Sequence, residues 1–581
     1  MDRSGIADIL DEMGTLLELK GANPFKSRAF HNASRTVSSV PEDVIALAKS
    51  ERLTTIKGIG EGIAKVITEL VEHGRSKEHE ELKKGIPPGL FDMMKIQGLG
   101  PKKVAFLFRQ KKITSIEKLE KAAKAGELAG LEGFGRKTEQ NILLGIEQLR
   151  KHSSRFHIST AEKAALEILD AVKSHPGIMR CELAGSLRRR KETIGDIDIV
   201  ASARKNAVPA IMKMFTGHPS VTRVTGEGET KSSVVLSSGI NCDLRIVTDA
   251  EFPFAMNYFT GSKEHNVRIR SLAREKGWSL NEYGFSAVEE EGKRGTSKRA
   301  VKCRDEADIY KAVGLPYIAP ELREDAGEIE RAKEGRLPEL VEEGDIRGTF
   351  HCHTTYSDGR NTLKEMAEAA IALGWEYLGI ADHSQVATYA NGLTEERVRR
   401  QHEEIDALNA TFNKFRLFKG SEVDILPDGS MDFRDAVLSR FDFVVASVHS
   451  QFKMTEAEMT KRILKAVKNK HVTMLGHLTG RLLLEREGYP VNQSEIIQAA
   501  ADYGKVIEIN AHPMRLDLDW RWVRIAVEKK VMISINPDSH TATGLSDVRY
   551  GVGIARKGWC AKKDVLNTRN AKDVSKLLKN E

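Results

Sequence analysis

A multidomain chain of mixed α+β and α/β class is predicted from three observations. Residues 1–150 carry apolar residues at helical spacing and three copies of a Gly-apolar-Gly string. From about residue 180, short apolar strands alternate with helical stretches, and beyond residue 346 that alternation is regular enough for a (β/α) barrel. With 581 residues and about 150 per domain, roughly four units are expected.

Composition narrows the class. Hydrophobic residues make up 40% of the chain, enough for substantial cores, yet no apolar run approaches the ~18 residues of a membrane span. The start, Met1-Asp2-Arg3-Ser4-Gly5, lacks the basic-then-apolar pattern of an export signal. A soluble, cytoplasmic chain without membrane partners is expected. The five cysteines (Cys181, Cys242, Cys303, Cys352, Cys560) are scattered and never form C-x-x-C. A disulfide framework and a thiolate zinc site are therefore not expected, and a reducing compartment fits. Of the net charge of +7, residues 1–155 supply 27 Lys/Arg against 21 Asp/Glu, 27 − 21 = +6. A positive N-terminal region on a near-neutral remainder suits a module that binds a polyanion.

In the helical third, Ile6, Ile9, Leu10, Met13, Leu16 and Leu17 recur at helical spacing. The repeated strings are Ile56-Lys57-Gly58-Ile59-Gly60, Ile96-Gln97-Gly98-Leu99-Gly100 and Leu131-Glu132-Gly133-Phe134-Gly135. Glycines permit a tight turn between two helices and leave bare N–H groups at the start of the second, where an anion is favoured. A helix-hairpin-helix grips DNA phosphates in this way without reading sequence. Gly58, Gly60, Gly98, Gly100, Gly133 and Gly135 are the candidate DNA contacts. The third copy departs from the other two, with Glu139 where a small or apolar residue would pack the helices.

The middle of the chain predicts strands at Met179–Ala184, Asp196–Ala201, Ser233–Leu236 and Asn241–Val247. Alternate strand residues share a face, so Asp196 and Asp198 project together while Ile197 and Ile199 turn into a core. Asp243, in a second apolar run, supplies a third carboxylate. Three such carboxylates can cage two divalent cations, which clamp the attacking and leaving oxygens of an in-line phosphoryl displacement. Ahead of them, Gly185-Ser186-Leu187-Arg188-Arg189-Arg190-Lys191 offers a hydroxyl and an arginine cluster suited to a triphosphate tail. Nucleotidyl transfer is the predicted chemistry.

The string Tyr258-Phe259-Thr260-Gly261-Ser262-Lys263-Glu264-His265-Asn266 resembles the thumb motif of family X DNA polymerases. Together with the hairpins and Gly195-Asp196-Ile197-Asp198, the resemblance covers residues 1–320. It implies that Asp196, Asp198 and Asp243 hold Mg²⁺ or Mn²⁺ and are catalytic. It implies that Ser186, Arg189 and Gly195 meet the β- and γ-phosphates, with the backbone after Gly185 beside the triphosphate tail, that Tyr258, Phe259 and Gly261 line the sugar, and that Asn266 and Arg270 face the nascent pair and template. Gapped or primed DNA and deoxynucleoside triphosphates are the implied partners. Two departures stand out. Lys263 replaces the Asp of vertebrate members, and Val66 occupies the position of their Schiff-base lysine, with Lys65 beside it, so the resemblance does not extend to a lyase activity.

In the last part, strands are predicted at Tyr377–Ile380, Phe415–Glu422, Phe443–Val448, Val472–His477, Val506–Asn510 and Val531–Ile535. Six of its nine histidines fall at or just beyond strand ends, the end that carries the active site in barrel enzymes. This pattern resembles the PHP domain, a (β/α)7-like barrel with a trinuclear metal centre. The resemblance implies nine ligands: His351, His353, Asp358, His383, Glu422, His449, His477, Asp538 and His540. Their N/O character suits up to three Mn²⁺, Zn²⁺ or Fe²⁺ ions. Arg481 is a further candidate for phosphate or for a surface role. A PHP barrel joined to a family X polymerase implies short-gap filling in DNA repair, with a 3′–5′ exonuclease or phosphoesterase acting on 3′ ends. A barrel serving only as structure, a small-molecule phosphatase fused to a DNA-binding module, and a non-catalytic scaffold are the alternatives.

The expected organisation is a helical DNA-binding domain at 1–80 and a fingers-like hairpin subdomain at 81–150. A nucleotidyltransferase palm at 151–250 and a thumb at 251–320 follow, then a linker at 321–345 and the PHP domain at 346–575. A monomer is expected.

Overall fold

The computed structural model describes residues 3–39, 44–56, 58–94, 96, 99–131, 133–152, 155–287 and 301–578. They form two compact units, 1–154 and 155–581.

The first unit is helical. Helix Arg3–Lys20 pairs with Pro24–Ser39 over Ile6, Leu10, Met13, Leu17, Phe30 and Val37. A second cluster, around Leu90, Met93, Leu99, Val104, Leu107, Phe134, Ile142 and Ile146, fills the other half. The apolar residue of each hairpin string anchors its turn: Ile59, Leu99 and Phe134 are buried, while Gly58, Gly60, Gly100, Gly133 and Gly135 stay on the surface.

The second unit begins with a five-stranded sheet: β1 (Ile178–Leu183), β2 (Asp196–Ala203), β3 (Val221–Glu227), β4 (Lys231–Leu236) and β5 (Asn241–Val247). Its order is β1-β2-β5-β4-β3, and only the central pair β2/β5 runs parallel. Burial alternates along β5 because one face packs on helices Ile158–Lys173 and Val208–Thr216. The other face carries helix Phe252–Thr260 through Val200, Ala255 and Met256. Strand β3 was not foreseen. It is an edge strand whose run Thr222-Arg223-Val224-Thr225-Gly226-Glu227 has too few apolar residues to announce itself.

Seven parallel strands follow: β6 (Gly348–Cys352), β7 (Tyr377–Ile380), β8 (Arg416–Asp424), β9 (Phe443–Ser447), β10 (Met474–Leu475), β11 (Val506–Asn510) and β12 (Ile533–Asn536). The strands are buried almost throughout, as in a parallel sheet wrapped by helices. The first and last strands meet through Thr349 Oγ1 to the Ile535 carbonyl (2.8 Å) and Phe350 N to Asn536 Oδ1 (3.3 Å), which nearly closes a barrel. Inside it, the Phe350 ring packs tilted against Phe418 and edge to face against Phe443. A side chain at Gly420 would collide with the Phe443 ring at 2.2 Å.

The charged stretch expected to be a linker is instead packed. It contains helix Glu328–Lys333 and buries Arg323, Glu328 and Ile329 completely. Arg323 donates to Glu306 (Nη1, 2.6 Å) and to the Ile318 carbonyl (Nε, 2.9 Å). Composition alone reads such residues as solvated because their partners are distant in sequence. Among the described residues, no helix is long and apolar enough to cross a membrane.

Candidate active sites

At the first site, register pairs Asp198 of β2 directly with Asp243 of β5, and Asp196 with Asn241. The three aspartates therefore converge at one end of the parallel pair of this sheet. Burial, reinforced by the charges of Asp196 and Asp243, pushes the Asp198 carboxyl up to about 7. Such crowding of carboxylates is costly without compensating cations, and it fits a divalent-metal cage. Lys231 of β4 answers part of the charge, with its Nζ 2.7 Å from Asp243 Oδ2. Gly185, at φ +64°, admits Asp198, since a Cβ there would lie 2.2 Å from Asp198 Oδ2.

A cleft of about 350 Å³ opens beside these carboxylates. It is lined by Gly185, Ser186, Arg189, Tyr258, Phe259, Gly261, Lys263, Asn266 and Arg270 together with Asp196 and Asp198. All the residues predicted to meet the nucleotide thus gather here except Gly195, which sits in the turn that starts β2, near Arg155. Arg189 is held by Glu324 Oε1 (Nε, 3.0 Å) and donates to the Thr260 carbonyl. Asn266 donates to the Tyr258 carbonyl at 2.7 Å, leaving its own buried Oδ1 without a protein partner. Lys263 is exposed at the rim. His265 is structural: buried, it bridges Glu328 (2.7 Å) and the Tyr310 hydroxyl (2.9 Å).

At the second site, all nine predicted ligands meet at the mouth of the barrel. They form four overlapping groups: His353, Asp358, His383 and His540; His351, His353 and Asp538; His351, Glu422 and His477; and His383, Glu422 and His449. Glu422 is the hub, its oxygens lying 3.2 Å from His351 Nε2, 2.9 Å from His383 Nδ1, 3.2 Å from His449 Nε2 and 3.0 Å from His477 Nε2. Imidazole nitrogens of His351, His353, His383 and His477 are buried without hydrogen-bond partners. Unsatisfied buried nitrogens are costly, and their shared focus on carboxylates is what metal ligands require. The backbone is committed too, for His351 (φ +56°) and Asp538 (φ +50°) are left-handed, a conformation that costs non-glycine residues on the order of 1–3 kcal/mol. Neighbouring imidazoles hold Asp358 down at about 2, and the surrounding carboxylates raise His449 to about 10 and His540 to about 9, in each case against burial.

Three supporting residues escaped the sequence reading. Glu508 of β11 accepts from His351 Nδ1 (2.6 Å) and from the His477 backbone N–H (3.0 Å). Asp424 lies 3.2 Å from His449 Nδ1, and Arg515 Nε lies 3.4 Å from Asp538 Oδ2. Such outer partners fix the ring orientation of ligands. The available signal was a carboxylate inside the apolar run Val506-Ile507-Glu508-Ile509-Asn510. Arg481 braces the fold through Asp519 (3.1 Å) and the carbonyls of Arg515 and Leu516. Tyr389, largely exposed, stands at the mouth with its ring 6.2 Å from that of His383.

In the N-terminal unit, Gly60 and Gly100 cap helices Glu61–His73 and Pro101–Lys111, and a Cβ at either would meet nothing within 4 Å. Gly133, at φ +80°, lies in the turn before helix Arg136–His152, and the Gly135 carbonyl accepts from the Glu139 N–H at 3.0 Å. Gly98 lies outside the described residues. Glu139, the misfit of the third string, accepts from the Leu128 and Ala129 N–H groups at 3.0 and 3.1 Å, tying down the preceding loop. Val66 is a core residue and Lys65 faces solvent.

Family models match in four places: a helix-hairpin-helix domain at 1–76, a SAM-like helix-hairpin-helix tandem at 91–148, a DNA polymerase beta thumb at 255–324 and a PHP domain at 349–512. Over 582 residues, 100% of both chains, the protein is 40% identical to the DNA polymerase/3′-5′ exonuclease PolX of Bacillus subtilis (strain 168). It is 25% identical over 289 residues to DNA polymerase lambda of Rattus norvegicus, covering 46% of this chain and 48% of that one. Over 238 residues it is 26% identical to a protein named "Probable phosphatase" of Thermoanaerobacter sp. (strain X514), covering 39% of this chain and 91% of the relative.

Proposed function

Because the chain belongs to the PolX family, 40% identical along its whole length to a member, we propose that it fills short gaps in DNA as a DNA-directed DNA polymerase and trims 3′ ends with a metal-dependent 3′–5′ exonuclease in its barrel. The observation that carries this reading is the presence on one chain of two separate, complete ligand constellations, the three aspartates on β2 and β5 and the nine residues at the barrel mouth.

Roles follow from placement. Asp196, Asp198 and Asp243 hold the cations of the polymerase site, Mg²⁺ or Mn²⁺, which when bound favour the ionised primer 3′-hydroxyl and offset charge on the phosphates. Ser186 and Arg189 grip the triphosphate, Arg189 through a planar fork that matches phosphate oxygens. Tyr258 and Phe259, edge to face with centroids 5.0 Å apart, form a wall against the sugar. Asn266 and Arg270 face the nascent base pair. Exposed glycine turns in the N-terminal unit receive DNA phosphates through backbone N–H groups. In the barrel, the nine ligands hold up to three Mn²⁺, Zn²⁺ or Fe²⁺ ions, and Glu508 and Asp424 orient His351 and His449. The protein acts as a monomer, with domain limits as set out from the sequence except that 321–345 is a packed segment in place of a linker.

The test is a pair of substitutions assayed on 5′-labelled gapped DNA. Asp196→Ala is expected to abolish extension and leave trimming in Mn²⁺, and His351→Ala to do the reverse. Loss of both activities from either change would overturn the two-centre assignment. An unshortened primer with the unaltered protein, alongside release of phosphate from monophosphoesters, would assign the barrel to small-molecule chemistry instead.

A further inference from the structure

A fully buried lysine on the barrel reaches the segment that lines the polymerase cleft. Lys557, the last residue of helix Val548–Lys557, has a completely buried side chain. Its Nζ lies 2.5 Å from Glu324 Oε1, 3.2 Å from the Arg189 carbonyl and 3.4 Å from the Glu321 carbonyl, and 5.0 Å from the centre of the Trp520 ring. A buried ammonium is costly unless paired, and here the partner is Glu324, the carboxylate that also holds Arg189 Nε at 3.0 Å. The other oxygen of Glu324 is 3.4 Å from Lys191 Nζ. One carboxylate thus serves three cations, one of which lines the nucleotide cleft.

The arithmetic of charge explains what the third cation does. With Arg189 and Lys191 alone, Glu324 would neutralise one of the two cations and leave a net charge of +1. With Lys557 taking up the charge of Glu324, that carboxylate can orient the guanidinium while Arg189 and Lys191 keep their full +2 toward the cleft. The bond from Lys557 to the Arg189 carbonyl fixes the backbone of the same residue. Nearby, Arg190 lies 3.2 Å from where a Cβ at Gly553 would sit, one turn earlier on the Lys557 helix, so barrel and cleft are packed without slack.

We propose that Lys557 is a positioning residue for nucleotide binding: from the barrel, it holds Glu324 and the Arg189 backbone so that Arg189 presents its charge to the triphosphate of the incoming nucleotide. This rests on the assignment of Arg189 to the triphosphate. The barrel is thereby part of the polymerase irrespective of its own chemistry.

Single-nucleotide insertion into gapped DNA by the full chain tests it, with kcat and KM for the nucleotide measured for R189A, K557M, K557R, E324Q and the double variant E324Q/K557M. Trimming of single-stranded DNA is followed in parallel. K557M is expected to raise KM on the order of tenfold, the usual scale of coupling between sites, with kcat and trimming within about twofold of the unaltered protein. K557R is expected to keep KM low. The double variant removes the buried ammonium together with the charge of the carboxylate it pairs, and the amide introduced by E324Q still offers an oxygen to Arg189 Nε, so it stays testable even where K557M folds poorly, and its KM is expected to fall back within about threefold of the original. A K557M protein with unchanged KM beside an R189A protein with raised KM would overturn the inference while sparing the role of Arg189. So would a double variant with KM as high as that of R189A. Unchanged KM in R189A would remove the role of Arg189 and the inference with it.

Discussion

At the scale of single residues, the aspartates show a trade between stability and chemistry. Burial and two neighbouring carboxylates raise Asp198 to about 7, above its unfolded value of about 3.9. Below the unfolded value the group is protonated in both states and costs nothing. As pH rises from there toward 7, the unfolded chain releases a proton that the folded site retains, so stability falls, levelling off above 7. Asp198→Asn is therefore expected to raise the melting temperature at pH 8 in EDTA, on the order of 2–5 °C, to leave it unchanged near pH 4, and to abolish extension. Melting curves at the two pH values check this, and an equal shift at both would contradict it. The aspartates were legible in the sequence because a strand has a period of two and Ile197 and Ile199 mark the opposite face. Glu508 and Asp424 were not, because a carboxylate that orients an imidazole differs from a structural one only in what lies opposite, and strand pairing across the barrel is not written in local pattern.

At the scale of elements, sequence signals were clearest where an element is buried on both faces and weakest at edges. The apolar runs of β7, β9 and β11 announced themselves, whereas β3 is a polar edge strand and β10 shortens to Met474–Leu475. The stretch 321–345 misled because its charges are paired with residues outside it, as Arg323 with Glu306 and Glu328 with His265. Strand β8 makes the packing of the barrel testable. Gly420 lies two residues before Glu422, and a methyl group there would meet the Phe443 ring at 2.2 Å. Overpacking of this kind costs about 1–3 kcal/mol. Gly420→Ala is expected to lower the melting temperature and to weaken trimming more than extension, because the strand it displaces carries the ligand hub. Equal loss of both activities would point to general unfolding instead.

At the scale of the whole molecule, the polymerase and barrel parts share a hydrophobic core. Ile168, Leu169, Ile197 and Leu244 from the palm belong to the same continuous cluster as Val444, Ile507 and Ile533 from the barrel. Trp559 of the barrel joins the core of the thumb with Ile309, Leu315 and Leu322. Residues 1–335 produced alone are therefore expected to expose apolar surface, to melt at lower temperature than the full chain and to self-associate, as measured by thermal melts and gel filtration. A monomeric fragment of undiminished stability would contradict this. The sequence marked the two halves as different in kind, since one is rich in hairpin glycines and strand carboxylates and the other in histidines. Their joint core was invisible because each apolar residue reads equally well as packing within its own half.

That shared core bears on how such a chain changes over generations. Deleting the barrel would strip the palm and thumb of part of their own interior, so a lineage that ceases to need trimming cannot simply discard the segment. The path of least harm is erosion at the mouth, one histidine or carboxylate at a time, with the wall of strands left standing. Descendants would inherit a silent barrel, kept for the support it gives its neighbour.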